Sequence, residues 1–401
     1  MSGLKITDVK TIVTQPNGLP LVIVKVITSE PGLHGLGCAT FTWRFRAVEA
    51  CIEHHLKPFV IGKDPAQIED IWQSAMLNGY WRNGPVLNNA VSGIDMALWD
   101  IKGKALGAPC YQLWGGMSRT AAAVYVHTDG RDKHEVAERA REYYEQGFQH
   151  VRCQVGGYRG IDWAHRKPLE GAFPGQYCTP KEKLHLVPDL FAHLRETLPA
   201  DAELLYDVHE RLNPIDGVWL AKALEPMRLF FLEDLFAPED IGWINTVRAQ
   251  CATALAMGEL FVHPGESLPL IAQRLIDFIR VHPSDVGGIT PCLKLGHLCE
   301  SFGVRTAFHG PCDVSPVGMA ANVHMDVHLR SFGVQEWAFR SEEEQAMFPG
   351  LPEVRAGYAY PNDRPGLGID MDEALAAQHP CDEKVTEWTV ARLPDGSITR
   401  P

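Results

Sequence analysis

Three carboxylates recur at a fixed interval along this chain: Asp207, Glu233 and Glu259, each 26 residues from the next. Each closes a short apolar run, in "ELLYDVH", "LFFLED" and "ALAMGE". A single acid at such a place is ordinarily a surface group beside a loop. Three in equivalent positions of successive units repel one another unless a cation gathers them, and oxygen ligands completed by water and substrate suit Mg2+. His209 follows Asp207 by two residues, and both groups are costly to desolvate unless something pairs with them.

Other apolar runs also close on polar groups: Arg152 and Gln154, Arg280 and His282, His309 with Asp313, and Glu336. A lone histidine on an apolar stretch is usually a satisfied core residue, and His54, His55 and His324 read that way. His209 and His309 instead fall at the same end of their runs as the acids. That is the end at which barrel enzymes hold their catalytic groups.

These endings need elements to position them. From about residue 121 the pattern is a short apolar strand, a polar ending and an amphipathic helix, many times over. Strands are expected over 123–128, 150–155, 203–209, 229–234, 254–259, 278–283, 304–310 and 334–339. Eight such units are what a closed (β/α)8 barrel requires. Helical patterns occupy 134–147 and 183–198, with Pro188 obscuring where the second begins. Before residue 120 the order differs: two β-rich segments, "KITDVKTIVTQP" and "LPLVIVKVITSE", precede helical patterns over 46–60 and 64–77. A loop over 156–182, rich in Gly, Pro and Tyr, follows the second barrel strand and is a candidate lid or specificity loop.

The 401 residues are 45% hydrophobic and 22% charged, the composition of an ordinary globular protein with room for a large domain and a second one. An excess of 50 acidic over 37 basic residues gives −13, which argues against nucleic acid or an anionic membrane as partner. The ten cysteines form no CxxC pair and read as reduced core residues. With no apolar leader and no run long enough to span a bilayer, the expected location is the cytoplasm.

Several stretches together resemble the enolase superfamily, and within it the mannonate dehydratase group: "NAVSGIDMALWDIKGKALGAPCYQLWGG" (89–116), "DVHE" (207–210), "FLED" (231–234), "MGEL" (257–260), "IRVHPSDVGGITP" (279–291), "FHGPCDVSPVGMAAN" (308–322) and "PGLGIDMDEA" (365–374). The resemblance implies an α/β chain built as a modified (β/α)8 TIM barrel over 121–370. An N-terminal α+β capping domain over 1–120 would cover it, with a C-terminal segment, 371–401, returning to that domain. It further implies Mg2+ held by Asp207, Glu233 and Glu259, a carboxylate substrate, and a homo-oligomer based on dimers, up to an octamer. His127, Arg280, His309, Asp313 and Glu336 match substrate-contact positions of the family, and His309 is read as catalytic as well.

The chemistry so implied is dehydration of a sugar acid, mannonate or gluconate first. A proton α to a carboxylate is removed, the extra negative charge is stabilised by the metal, and the 3-hydroxyl leaves as water to give a 2-keto-3-deoxy acid. His209, two residues after a metal ligand and so on the same side of its strand, is placed to be the acid. The base departs from the family pattern, which pairs an arginine after the second strand with a tyrosine about twelve residues later. Arg152 matches, but position 164 is Ala164, leaving Tyr158 and Tyr177 as loop candidates. Thr42 stands where the family has a substrate-binding asparagine, and the family's C-terminal tryptophan is missing from "DGSITRP". Two other readings stay open: a metal- and carboxylate-binding sensor with little turnover, and a racemase or epimerase. The second is disfavoured because Arg152-Cys153-Gln154 stands where such enzymes carry a Lys-x-Lys pair.

Overall fold

The computed structural model describes residues 3–159, 168–382 and 390–400. In chain order its strands are β1 (Ile6–Thr14), β2 (Leu21–Thr28), β3 (His34–Cys38), β4 (Ala122–Gly130), β5 (His150–Val155), β6 (Gln176–Tyr177), β7 (Glu203–Asp207), β8 (Phe231–Glu233), β9 (Leu255–Met257), β10 (Phe278–Ile279), β11 (Arg305–Thr306), β12 (Gln335–Glu336), β13 (Glu353–Arg355), β14 (Tyr358–Tyr360) and β15 (Ala391–Arg392). The chain forms two compact units. One comprises Met1–Ala123, Glu259–Pro269 and Arg280–Val385; the other comprises Val124–Gly258, Leu270–Ile279 and Thr386–Pro401.

In the first unit, β-branched residues build an antiparallel sheet in the order β1-β2-β3. A long helix, Pro85–Leu106, lies on it. Pro85 starts the helix, where its missing N–H costs nothing, and Gly107 ends it in the left-handed conformation at φ 65°. The contact is close because β3 carries glycine: a Cβ on Gly37 would sit 2.0 Å from the Gly93 carbonyl oxygen, and one on Gly35 2.0 Å from that of Ala97. The same helix reaches the later part of this unit. Asn88 Nδ2 donates to the carbonyls of Val262 and Asp285, each at 2.7 Å. Beyond it, the chain around β11 runs parallel to the approach to β12 through the Thr306–Phe332 bridge.

The second unit is built on a parallel sheet in the order β10-β9-β8-β7-β5-β4. Leu204, Leu205, Phe231, Leu232 and Leu255 are all buried, as strands covered on both faces require. Register then fixes which side chains are neighbours: His127 lies opposite Arg152, and Asp207 opposite Glu233. Asp132 caps the helix Lys133–Glu145, its carboxylate accepting from the backbone N–H groups of His134 and Glu135. The helix Lys183–Thr197 starts where the sequence pattern starts and carries Pro188 inside it.

Several strands stop short of their expected lengths. The segment expected over 203–209 ends at Asp207, because His209 and Glu210 adopt φ 54° and 52°, and Asp234, just past β8, has φ 38°. Left-handed residues cannot continue a strand. His209 is therefore a turn residue, and strand alternation does not place it. The described part of the loop over 156–182 includes β6, which pairs in parallel with β15. The segment expected to return to the capping domain divides: 371–382 stays with the first unit and 390–400 packs on the second.

Candidate active site

Arg152 organises the polar end of the second unit's sheet. Its Nη1 lies 3.2 Å from Asp207 Oδ2 and 3.6 Å from Glu233 Oε1, both buried carboxylates. Its Nη2 donates to Tyr158 Oη at 2.5 Å and to His127 Nδ1 at 3.2 Å. One guanidinium fork thus joins β4, β5, β7, β8 and the loop, a use its rigid planar geometry suits. Gln154, the other polar residue of β5, donates to the Asp207 carbonyl at 3.2 Å.

Beyond Asp207 the left-handed turn folds His209 back, and its backbone N–H donates to Asp207 Oδ1 at 2.7 Å. Its ring lies 4.3 Å, centroid to centroid, from that of Tyr158. The Tyr158 ring is also flanked by the guanidinium carbons of Arg152 at 5.6 Å and Arg211 at 5.3 Å. The turn after β5 makes this approach: Gly156 and Gly157 take φ 66° and 58°, bending the chain so that Tyr158 returns over the sheet. Tyr177, the other loop candidate, is elsewhere engaged. Its hydroxyl donates to the Phe173 carbonyl at 2.8 Å, so the structure does not bring it to Arg152. Ala164 lies outside the described residues.

The first unit assembles a second polar group. Arg280, fully buried, pairs with Glu336 at 2.9 Å and lies 3.8 Å from Glu259. His309 Nδ1 is 3.0 Å from Glu259 Oε2, and its Nε2 is 3.5 Å from Asp313. The His282 ring stacks on that of His309 at 4.9 Å. Asn322 holds the loop by donating to the His309 carbonyl at 3.1 Å. Thr42 is buried at the start of a short 3-10 turn in this unit, and its hydroxyl has no hydrogen-bond partner among the described residues.

Burial and neighbouring charges set these groups apart. Burial opposes charge on His309, but Glu259, Asp313 and Glu336 outweigh it and hold its pKa well above the ordinary histidine value. His282 is pushed the other way, by burial first and by the His309 charge. In the second unit, burial lowers Lys183 to about 7, with the Arg211 cation adding to the effect. His324 is a core residue, accepting from the Tyr111 backbone N–H at 3.4 Å and lowered by burial to about 3. Arg211 is the member of the cluster that sequence reasoning passed over. Its signal was its place two residues beyond His209.

The chain matches two family models: the mandelate racemase/muconate lactonizing enzyme N-terminal domain over residues 4–115 and the enolase C-terminal domain-like family over 135–375. It is 53% identical over its whole length to the D-galactonate dehydratase family member RspA of Pantoea ananatis, all of which it covers. It is 50% identical, again over both full lengths, to a D-galactonate dehydratase family member of Enterocloster bolteae. Among solved structures it resembles an enolase from Pantoea ananatis with bound D-gluconate and Mg, with a TM-score of 0.96, 53% identity and full coverage of both chains.

Proposed function

The chain belongs to the enolase superfamily, among the D-galactonate dehydratase family members, and we propose that it is a Mg2+-dependent acid-sugar dehydratase acting on D-gluconate or D-mannonate. Its fold is the modified TIM barrel of that superfamily with an N-terminal α+β capping domain. The family matches, over 4–115 and 135–375, support a functional division at about residues 120 and 370. The single observation that carries the reading is the Arg152–Tyr158 hydrogen bond beside His209, an arginine–tyrosine base next to a general acid.

The donor set fits a hard divalent cation: Asp207 and Glu233 are buried carboxylates on facing strand positions, and Glu259 follows the next strand by two residues. We assign these three to Mg2+, which when bound stabilises the charge that develops on the substrate carboxylate. The protein's own groups do the rest. Tyr158, with Arg152 stabilising its anionic form, takes the C2 proton, and the electron pair passes into the carboxylate. The C3–O bond then breaks as His209 gives its proton to the departing hydroxyl, releasing water and an enol that becomes the 2-keto acid. His127, Arg280, Asp313, Glu336 and Thr42 are assigned to substrate binding. His309, whose pKa Glu259, Asp313 and Glu336 raise against burial, is assigned to stabilising negative charge on the substrate.

D-Gluconate and D-mannonate differ only at C2, the centre that loses its proton, so both yield one product. A substrate that is a small sugar acid agrees with the gluconate in the Pantoea ananatis relative. Among the described residues no helix is long and apolar enough to cross a membrane. We further propose a cytoplasmic homo-oligomer built from dimers. The test is incubation of Mg2+-loaded protein with each acid and measurement of 2-keto-3-deoxy acid, with chelator as control. A sensor would be stabilised by the acid and form no keto acid; an epimerase would change optical rotation and lose no water.

A further inference from the structure

Arg211 has no part in the reaction outlined above, yet it is buried and its guanidinium carbon lies 5.3 Å from the Tyr158 ring centroid. Two guanidinium groups approach Tyr158, while the Asp129 carboxylate accepts from the backbone N–H of the preceding Gly157 at 3.0 Å. Arg152 reaches it from β5, donating to the phenol oxygen at 2.5 Å, and from the turn after β7 come Arg211 at the ring and the His209 imidazole at 4.3 Å. A phenol gripped this way gains far more as a phenolate than as a neutral hydroxyl, because cations attract the anion directly and the neutral ring only through its quadrupole.

Holding Arg211 there is costly. Burial disfavours its charge, and the Arg211 cation in turn lowers the neighbouring Lys183. Asp207, Cys178, Tyr206 and Tyr158 act in the opposite direction. We infer that Arg211 is a positioning residue for the base: it holds the Tyr158 ring against His209 and, with Arg152, stabilises the phenolate that takes the substrate proton. The inference rests on the dehydratase reading of Tyr158, and it adds a second cation to the arginine–tyrosine pair.

The test is spectroscopic and needs no turnover. In Mg2+-loaded protein, tyrosinate absorbance near 295 nm is followed against pH for wild type and for Tyr158→Phe, and their difference isolates Tyr158. Arg211→Met, which keeps bulk and removes charge, is expected to move that midpoint up by about one to two pH units. Arg211→Lys should restore most of the shift. The acid limb of kcat/KM should move in parallel. An unshifted midpoint in a folded Arg211→Met protein, or in Arg211→Gln if the first variant does not fold, would overturn the inference while leaving Tyr158 as the base. Wild-type protein that makes no keto acid would overturn the dehydratase reading, and the absorbance shift would still report on Arg211.

Discussion

Arg152 Nη2 donates to the phenol oxygen of Tyr158 at 2.5 Å, while Nη1 of the same guanidinium lies 3.2 Å from Asp207. The proposed base and a proposed metal ligand are therefore aligned by one side chain. Tyr158→Phe should reduce keto-acid formation by a factor of about 100 to 10,000, the range for losing a general base, with Mg2+ affinity nearly unchanged. Arg152→Lys should lose both activity and metal affinity, since an ammonium cannot reproduce the fork. Kinetics and calorimetric Mg2+ titration check the pair.

The carboxylates provide a separate handle. Asp207→Asn removes a charge from the proposed Mg2+ set and leaves Arg152 with one acid fewer. We expect Mg2+ affinity to fall at least tenfold and keto-acid formation to disappear. For wild type, adding chelator should lower the melting temperature, because an ion that binds only the folded chain stabilises it by mass action.

Two buried groups should give opposing pH dependences of stability. His324 is lowered by burial to about 3, against about 6.5 when unfolded, so its contribution is complete above pH 6.5 and is lost as pH falls toward 3. Asp95 is raised by burial to about 7 while accepting from Thr290, so its contribution is complete below pH 4 and is lost as pH rises toward 7. Wild type should therefore change little between these limits. His324→Gln should gain stability relative to wild type on acidification, and Asp95→Asn should gain relative to wild type on approach to pH 7. Each difference should reach about 1.4 kcal/mol per pH unit at its steepest, read by denaturant unfolding across pH.

Gly37 tests how the capping sheet meets its helix. An added Cβ would lie 2.0 Å from the Gly93 carbonyl oxygen, so backbone must move. Gly37→Ala should destabilise by about 1–3 kcal/mol or more, seen as a lower melting temperature. Gly18→Ala is a weaker control: its φ of 77° is strained, but nothing lies within 4 Å of an added Cβ.

Much of the sheet's polar end was legible because the strand–helix repeat fixes where each strand closes. Asp207, Glu233 and Glu259 follow from a regular interval, and the register between β7 and β8 sets the first two side by side. His209 was legible in type and neighbourhood, but the left-handed backbone at 209 and 210 ends the strand early, and local alternation carries no signal for that. The choice between Tyr158 and Tyr177 depends on the path of a loop, which tertiary contacts decide. Gly156-Gly157 turns Tyr158 back over the sheet, whereas pairing of β6 with β15 holds Tyr177 near Phe173. Arg211 was visible in "DVHERLNP", yet nothing in that string says that its side chain turns toward a tyrosine more than fifty residues earlier.

The division of labour between Tyr158 and His209 is tested most directly by proton NMR of D-gluconate and D-mannonate in D2O with Mg2+-loaded wild type, His209→Asn and Tyr158→Phe. Wild type should form the 2-keto-3-deoxy acid. His209→Asn should exchange the C2 proton for deuterium without losing water, and Tyr158→Phe should do neither. Product from Tyr158→Phe at the wild-type rate, or a His209→Asn protein that dehydrates normally, would contradict the account.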